Sequence, residues 1–265
     1  MNKWSKRCCE LNYGNNKMET IICFVATDKH PYLEEQVQIY KPYFKDVVIM
    51  LDKNYDNLEL PYLQIKEMKH TNYSNVLIGM GKKLQGDKFS NSWSKAMYYY
   101  RDLDADNIWF IEYDVFIPNI DLLLSINQHK EHLLVKDNIR YTGKKGEWSH
   151  WTTFKRHKID VFGDNLYHSM VCICRVSKEL IKLVDEFATK YKKLFYHEIL
   201  FNTLAENNNL SIKLVNELKK VIYMGNSKKQ SYKLDDVCKN YIYHPVKDLR
   251  VQKTMFQSLN KKTTD

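Results

Sequence analysis

Two carboxylates stand at the end of an apolar segment near the middle of the chain. Residues 108–111 read Ile-Trp-Phe-Ile, and Glu112 and Asp114 follow them at a spacing of two. On an extended backbone, side chains at this spacing leave the same face of a sheet. Because a buried unpaired carboxylate is costly, the two acids predict a hard cation bound through oxygen, which in turn neutralises a diphosphate. The alternative is an ordinary strand end at a solvated loop, since such triplets are common by chance.

A second set of residues suited to chemistry lies near the C-terminus. Residues 241–247 read Tyr-Ile-Tyr-His-Pro-Val-Lys, so a strand delivers His244, Pro245 ends the pairing, and Lys247 follows. An imidazole binds Mn²⁺ well, and a lysine ammonium is a point charge suited to a phosphate. The pattern indicates a metal ligand and a phosphate contact, or else a solvated element of the C-terminal region.

Glu198 is a candidate proton acceptor. It stands in the first turn of residues 196–205, an apolar segment expected to be helical, where the helix dipole stabilises a carboxylate. A Glu in this place serves as general base for a hydroxyl nucleophile, although an ordinary first-turn Glu has the same pattern. The pair His197-Glu198 lacks the second His of a metalloprotease helix, which excludes that class.

The apolar segments that position these residues predict an α/β fold. Residues 20–26 are a β-branched and aromatic run suited to a buried parallel strand, Pro31 opens a helix to about residue 40, and residues 47–51 form a second strand. This spacing is typical of a βαβ unit, and hence of a single α/β domain with a central, mostly parallel sheet flanked by helices. Further strands are expected at residues 62–65, 108–111, 133–135 and 170–174.

Three further helices are expected. Ser90 or Ser92 caps the first, which runs to about residue 100 and packs one face on the sheet through Trp93, Ala96, Met97 and Tyr100. Ser177 caps the second. The third covers residues 196–205 and ends in a run of three Asn, residues that tolerate the left-handed conformation.

Composition limits the class of protein. The chain has 265 residues, of which 44% are hydrophobic and 28% charged, so it is globular. The net charge of +9 favours an anionic partner, but Lys is spread along the chain and identifies none. Six Cys without a Cys-x-x-Cys pair predict reduced thiols and a cytoplasmic protein, and neither a signal peptide nor a transmembrane segment is expected. We expect an irregular arm over residues 1–18, one domain over 19–250 and a C-terminal tail over 251–265.

Taken in this order, the motifs resemble those of GT-A type glycosyltransferases, and the resemblance implies a single GT-A-like (Rossmann-like) domain. They are residues 92–97 leading into residues 109–114, Cys-Arg-Val-Ser at 174–177, Tyr-His-Glu at 196–198 and Tyr-His-Pro-Val-Lys at 243–247. The last resembles a closing motif of sugar transferases of eukaryotic microbes and large viruses. This resemblance implies the cytoplasm of a virus-infected cell as one location for the protein. Glu112 departs from the family, which has Asp in its place.

The resemblance implies a metal-dependent enzyme that moves a sugar from a UDP- or GDP-sugar to a glycan or glycoprotein acceptor, with Mn²⁺ or Mg²⁺ as cofactor. It implies that Asp114 and His244 are metal ligands and that Glu112 contacts the metal or the ribose. It implies that Lys247 clamps the diphosphate. Glu198 would deprotonate the acceptor hydroxyl, with inversion at the anomeric carbon if it lies opposite the leaving group.

The ends of the first two strands are expected to hold the nucleotide. Ala26, Thr27 and Asp28 end the first strand and Asp52 ends the second, in the crevice where such folds bind ligands. Lys95, one turn into the next helix, is expected either to face the phosphates or to be a surface lysine.

Two features of the middle of the chain concern the acceptor. Residues 143–158 contain Trp, His, Phe and Arg side chains that are expected either to stack on an acceptor sugar or to pack into the core. Asp164, just beyond them, is a second candidate base.

Three other functions fit parts of the sequence. The charge and the abundant Tyr and Lys suit a nucleic-acid-binding protein, but they form no known base-reading or stacking motif. A metal-dependent nucleotidyltransferase also uses paired acids on a strand, but would usually have a Gly-rich phosphate loop, and the chain has only eight Gly. The third is an inactive relative that binds sugars without turnover.

Overall fold

The structure is a computed structural model and describes residues 18–68, 71–73, 76–77, 83–84, 91–144, 162–222 and 232–260. In chain order the strands are β1 (Met18–Ala26), β2 (Phe44–Leu51), β3 (Tyr62–Leu63), β4 (Val76–Leu77), β5 (Lys83–Leu84), β6 (Asn107–Glu112), β7 (Leu133–Val135), β8 (Ile139–Arg140), β9 (Tyr167–His168), β10 (Ile173–Ser177), β11 (Leu194–Phe195), β12 (Ile212–Leu214), β13 (Lys220–Val221) and β14 (Tyr243–His244). The helices are α1 (Pro31–Tyr40), α2 (Ser92–Tyr99), α3 (Ile120–Asn127), α4 (Lys178–Tyr191), α5 (His197–Asn207) and α6 (Leu249–Asn260).

Seven strands form the main sheet, in the order β12-β7-β10-β6-β1-β2-β3. β1 pairs in parallel with both β2 and β6, whereas β10 runs antiparallel to β6 and β7. β3 and β12 continue the two sides in parallel with their neighbours, so β10 alone is reversed within this sheet. The predicted α/β class with a central, mostly parallel sheet is confirmed.

The strand order reverses beside β1. The chain leaves β1 for β2 and β3 on one side and then returns to β6 on the other side. The carboxyl ends of β1 and β6 therefore open a crevice at a topological switch point, the place where open α/β sheets bind ligands. The predicted nucleotide residues Ala26, Thr27 and Asp28 stand at the end of β1, and the predicted metal ligands Glu112 and Asp114 stand at the end of β6.

Apolar side chains cover both faces of the sheet. Cys23 and Phe110 belong to one buried cluster with residues of α2, α4 and α5, while Ile22 and Trp109 belong to the opposite cluster with residues of α1 and α3. Alternate residues of a strand face opposite sides, so a strand with helices on both faces must be apolar throughout. This is why the continuous apolar runs of β1 and β6 predicted parallel strands.

The four predicted helices are present as α1, α2, α4 and α5, whereas α3 was not predicted. Pro31 opens α1, and Ser177 caps α4 by accepting from the backbone N–H of Leu180 at 3.2 Å. After α5, Asn209 has a φ of 55°, in the left-handed region expected for the Asn run. The cap of α2 was wrong: Asn91, and neither Ser90 nor Ser92, holds this position and accepts from the N–H of Ser94 at 3.0 Å.

Two boundaries differ from the prediction. The strand expected at residues 170–174 is β10 at Ile173–Ser177, because its pairing with β6 continues to Ser177 opposite Asn107. The tail expected from residue 251 is helix α6 up to Asn260, and Gln252 and Met255 of this helix are buried. The expected N-terminal arm lies outside the described residues as far as residue 17.

Two expectations about the described chain can be compared with the structure. Within it, Cys23, Cys172, Cys174 and Cys238 are all free thiols, the first three buried. None of its helices combines the length and the apolar character that crossing a membrane would need.

Lys95 links α2 to the end of β2 through hydrogen bonds, and its substitution tests how much they contribute to stability. Its ammonium donates to the carbonyl oxygens of Leu51 at 3.3 Å and Asp52 at 2.6 Å and to Asn54 Oδ1 at 3.2 Å. We expect Lys95→Met to lower the free energy of unfolding by about 1–3 kcal/mol, because it leaves buried acceptors without their donor. Urea unfolding measures this, with exposed Lys182→Met as the control, and equal stability of the two variants would contradict it.

Candidate metal and nucleotide site

The two predicted acids lie where β6 leaves the sheet. The backbone N–H of Glu112 donates to Cys172 O at 2.8 Å, and that of Tyr113 donates to Val25 O at 3.1 Å. The chain then turns, with the N–H of Val115 donating to Glu112 O at 3.0 Å. Glu112 and Asp114 are thereby held at the carboxyl edge of the sheet.

His244 reaches the same edge from the C-terminal region. Its neighbour Tyr243 pairs with Phe116 through two backbone hydrogen bonds, and the N–H of Val246 donates to Asp114 O at 2.7 Å. The imidazole Nε2 lies 3.3 Å from Asp114 Oδ1 and 3.6 Å from Glu112 Oε2. The structure therefore brings together the three residues that were predicted as metal ligands.

The ring orientation of His244 suits a ligand. Its Nδ1 lies 3.1 Å from Ile222 O, and because a carbonyl oxygen only accepts, Nδ1 carries the proton there. In the neutral ring the lone pair is then on Nε2, the atom that faces the two carboxylates. A backbone carbonyl that fixes the tautomer in this way is a common second partner of metal-bound histidines.

Aromatic rings hold Glu112 from the other side. The indole Nε1–H of Trp93 donates to Glu112 Oε1 at 2.9 Å, and the Trp93 ring stacks on His197 with centroids 4.1 Å apart. Burial lowers the pKa of His197 to about 3, so this ring is neutral and packs as an aromatic. The sequence had predicted Trp93 only as part of a core-facing helix side.

Glu198 lies behind this group at the start of α5. It is 6% exposed, and the N–H of Ser169 donates to its backbone oxygen at 3.0 Å. Burial raises the pKa of Glu198 to about 8, and the charges of Glu112 and Asp137 add to the rise. The predicted base is thus within electrostatic reach of the predicted metal ligands.

The acids repel one another in this buried place. Burial raises the pKa of Glu112, the charge of Asp114 raises it further, and His244 offsets part of the rise. Burial alone would lower the pKa of His244, but its hydrogen bond to Asp114 and the charges of both acids raise it. These carboxylates therefore favour a positive charge placed between them, as the acidic ligands of a cation site do.

The donor set fits a divalent cation. Glu112, Cys172 and His244 each present one ligand atom, and these three atoms lie within 4.8 Å of one another. Asp114, 6% exposed, adds a carboxylate oxygen beside the same imidazole. Carboxylate oxygen and imidazole nitrogen are ligands of Mn²⁺ and other divalent metals. Sequence reasoning missed Cys172, because its apolar neighbours in the chain indicated a core thiol.

A cleft of about 570 Å³ opens at the end of β1. It is lined by Thr27, Asp28, Lys29, His30, Leu33, Tyr113, Lys247, Asp248, Leu249 and Arg250. Three predicted nucleotide residues, Thr27, Asp28 and Lys247, therefore share one cavity, and Tyr113 connects it to the two acids. Asp28 accepts hydrogen bonds from Lys53 and Tyr55, which fix its carboxylate.

Ala26, Asp52 and Lys95 hold the scaffold together. Asp52 N–H donates to Ala26 O at 2.9 Å, and its carboxylate accepts from Ser92 N–H at the start of α2. Burial raises the pKa of this carboxyl. Lys95 is 2% exposed, so the expectation of a surface lysine was wrong. Its ammonium contacts the end of β2, and its contact with the phosphates stays a prediction.

Asp164 is not brought to the acidic group. It is exposed, and the adjacent Asn165 bonds to Asn207 at 2.6 Å, at the last residue of α5. Glu198 lies at the other end of that helix, about 13 Å away at a rise of about 1.5 Å per residue. The expected acceptor segment lies outside the described residues from 145 to 158.

Comparisons with known proteins identify no family for this chain. No family model matches the chain, and no curated protein matches it. Among solved structures, it is similar to the inositol-1-phosphate CTP transferase from T. maritima, with a TM-score of 0.39 and 10% identity over 76% of this chain and 86% of that chain. Similarity at this level carries no argument about activity.

The raised pKa of Glu198 makes stability depend on pH. Folding raises this pKa from 4.5 to about 8, so the folded state keeps a proton that the unfolded state releases between these values. Stability is therefore lost as the pH rises through this range. We expect Glu198→Gln to raise the melting temperature more at about pH 8.5 than at about pH 5, in EDTA.

Thermal unfolding of both proteins at the two pH values measures the difference. Exposed Glu186→Gln is the matched control, and its effect should not change with pH. If Glu198→Gln changes the melting temperature equally at both pH values, the pKa of Glu198 is not raised by burial and the prediction is wrong.

Proposed function

We propose that this protein is a metal-dependent glycosyltransferase that moves a sugar from a nucleoside-diphosphate donor to a hydroxyl of a glycan or glycoprotein. The observation that carries the proposal is the contact of His244 with both Asp114 and Glu112 at the switch point of the sheet. The motif order of the sequence supports the sugar-transfer reading. A divalent cation bound there supplies positive charge for the diphosphate as it leaves.

The donor is proposed to occupy the cleft beside β1. Its nucleotide would contact Thr27 and Asp28, and its diphosphate would lie between the metal ligands and Lys247. Lys247 is exposed on the cleft wall, so its ammonium is free to turn toward a phosphate. Tyr113 also lines the cleft and directly precedes Asp114 in the chain, which supports a donor reaching from the cleft to the metal ligands.

Glu198 is proposed to take the proton of the acceptor hydroxyl. A general base works best when its pKa is near the operating pH, and a pKa of about 8 meets this condition. The acceptor oxygen then attacks the anomeric carbon, the bond from that carbon to the diphosphate breaks, and the hydroxyl proton goes to Glu198. Attack opposite the leaving group inverts the configuration.

Nucleotidyl transfer is the second candidate, because carboxylates that hold a metal at this edge also serve attack on a nucleoside triphosphate. The chain has no Gly-x-x-x-x-Gly-Lys segment, which favours sugar transfer. The products separate the two reactions: sugar transfer releases a nucleoside diphosphate, whereas nucleotidyl transfer releases pyrophosphate.

Calorimetric titration with UDP and GDP tests the site. We expect one of them to bind with Mn²⁺ and not with EDTA, and Asp114→Asn and His244→Ala each to weaken binding at least roughly tenfold, the lower end of what even outer partners of a metal contribute. Exposed Asp121→Asn is the control. Binding to neither nucleotide, with salt-sensitive binding to RNA or DNA, would replace the proposal by nucleic-acid binding.

Glu198→Gln tests the base. It should leave Mn²⁺-dependent nucleotide binding intact and lower the turnover of the UDP- or GDP-sugar by roughly 100-fold or more, since a positioned general base contributes about 10²–10⁴-fold. Release of nucleoside diphosphate from a panel of donors and acceptors measures turnover. Unchanged transfer by Glu198→Gln would remove Glu198 from this role.

A further inference from the structure

Cys172 stands between the metal-binding acids and the reversed strand. Its backbone oxygen accepts from the N–H of Glu112 at 2.8 Å, directly before β10 begins. Its sulfur lies within 4.8 Å of a carboxylate oxygen of Glu112 and a ring nitrogen of His244. Three metal-binding atoms of different chemical type, from three separate segments, therefore lie close together.

A buried cysteine is usually a small apolar side chain of the core. Cys172 does contact the apolar cluster beside β1, so packing explains part of its burial. Packing does not explain why its sulfur lies within 4.8 Å of both a carboxylate oxygen of Glu112 and a ring nitrogen of His244. Cys174, also buried and two residues further along the chain in β10, belongs to the opposite apolar cluster and is not one of the three mutually close donors.

We propose that Cys172 is a ligand of the metal ion together with Glu112 and His244, so that the site prefers a thiophilic transition metal to Mg²⁺. Thiolate, imidazole and carboxylate are the donors that Zn²⁺ and Co²⁺ bind, whereas Mg²⁺ prefers oxygen donors in an octahedral arrangement. On binding, the metal ion replaces the thiol proton, which leaves to solvent. This inference rests on the metal site of the proposed function and specifies which metal it selects.

Cobalt spectroscopy tests the sulfur ligand without any substrate. The full chain would carry Cys8→Ser and Cys9→Ser, which removes the adjacent thiols near the N-terminus, and would be titrated with Co²⁺. We expect a near-ultraviolet sulfur-to-cobalt charge-transfer band that Cys172→Ser abolishes and the matched control Cys174→Ser retains. A band that persists in Cys172→Ser, or no band with the Cys172 thiol present, overturns the proposal.

Metal affinity provides the second measurement. Cys172→Ser should weaken Zn²⁺ binding by at least roughly 10- to 100-fold, the range that even outer partners of a metal contribute, and should leave Mg²⁺ binding unchanged. Equal loss for both ions would overturn a sulfur ligand. Circular dichroism and thermal melting in EDTA show whether the Cys172→Ser variant folds. A further measurement, ¹¹³Cd NMR, uses the chain with Cys172 unchanged and so does not depend on the folding of a variant. A cadmium chemical shift typical of oxygen and nitrogen ligands alone overturns the proposal.

Failure of this inference differs from failure of the proposed function. No cobalt band, with Mn²⁺-dependent nucleotide binding intact, rejects Cys172 as a ligand and leaves the transferase proposal standing. Absence of both cobalt binding and metal-dependent nucleotide binding rejects the metal site itself. A cobalt band with no nucleotide binding supports the sulfur ligand and rejects the transferase.

Discussion

His244 holds its ring against two carboxylates, with Nε2 3.3 Å from Asp114 Oδ1 and 3.6 Å from Glu112 Oε2. Two acids at such a buried place cannot both be ionised at low cost unless positive charge lies between them. A protonated imidazole supplies one positive charge, whereas a divalent cation supplies two and leaves the neutral imidazole to act as a ligand. The rest of the site depends on this need for positive charge between the two carboxylates. The surrounding groups either hold these three side chains in position or would interact with the bound cation.

The fold supplies that rigidity through backbone contacts between distant segments. Phe116 pairs with Tyr243 next to His244, while Val246 N–H donates to Asp114 O. Gln252 of α6 then joins these two segments, since its side-chain amide donates to Tyr113 O at 3.0 Å and to Val246 O at 2.8 Å. A site built on paired strands and a packed helix keeps its donors in place before a ligand arrives, which reduces the entropy lost on binding.

The proposed metal ligands and the lysine and arginine side chains of the cleft lie in different parts of the site. Asp114 and Glu198 are buried beside the partly exposed Glu112, whereas the cleft beside β1 presents Lys29, Lys247 and Arg250 together with Asp28 and Asp248. This division suits a substrate whose phosphates need positive charge and whose hydroxyl partner needs a proton acceptor. It also explains how a chain with a net charge of +9 concentrates negative charge at one point: the excess Lys is spread over the surface, while the acids are collected by the fold.

The sequence by itself indicated six of the seven strands of the main sheet, all except β12, because continuous apolar runs such as those of β1 and β6 are local patterns that a strand buried on both faces must have. It also indicated Glu112, Asp114 and His244, whose residue types and positions at strand ends are visible without the fold. Only the tertiary structure decided that Cys172 joins them and that Asp164 lies at the far end of α5. It also decided that Lys95 is buried against the end of β2. These three outcomes depend on the pairing of β10 with β6 and on helix packing, which are contacts between segments distant in the chain that no local pattern encodes.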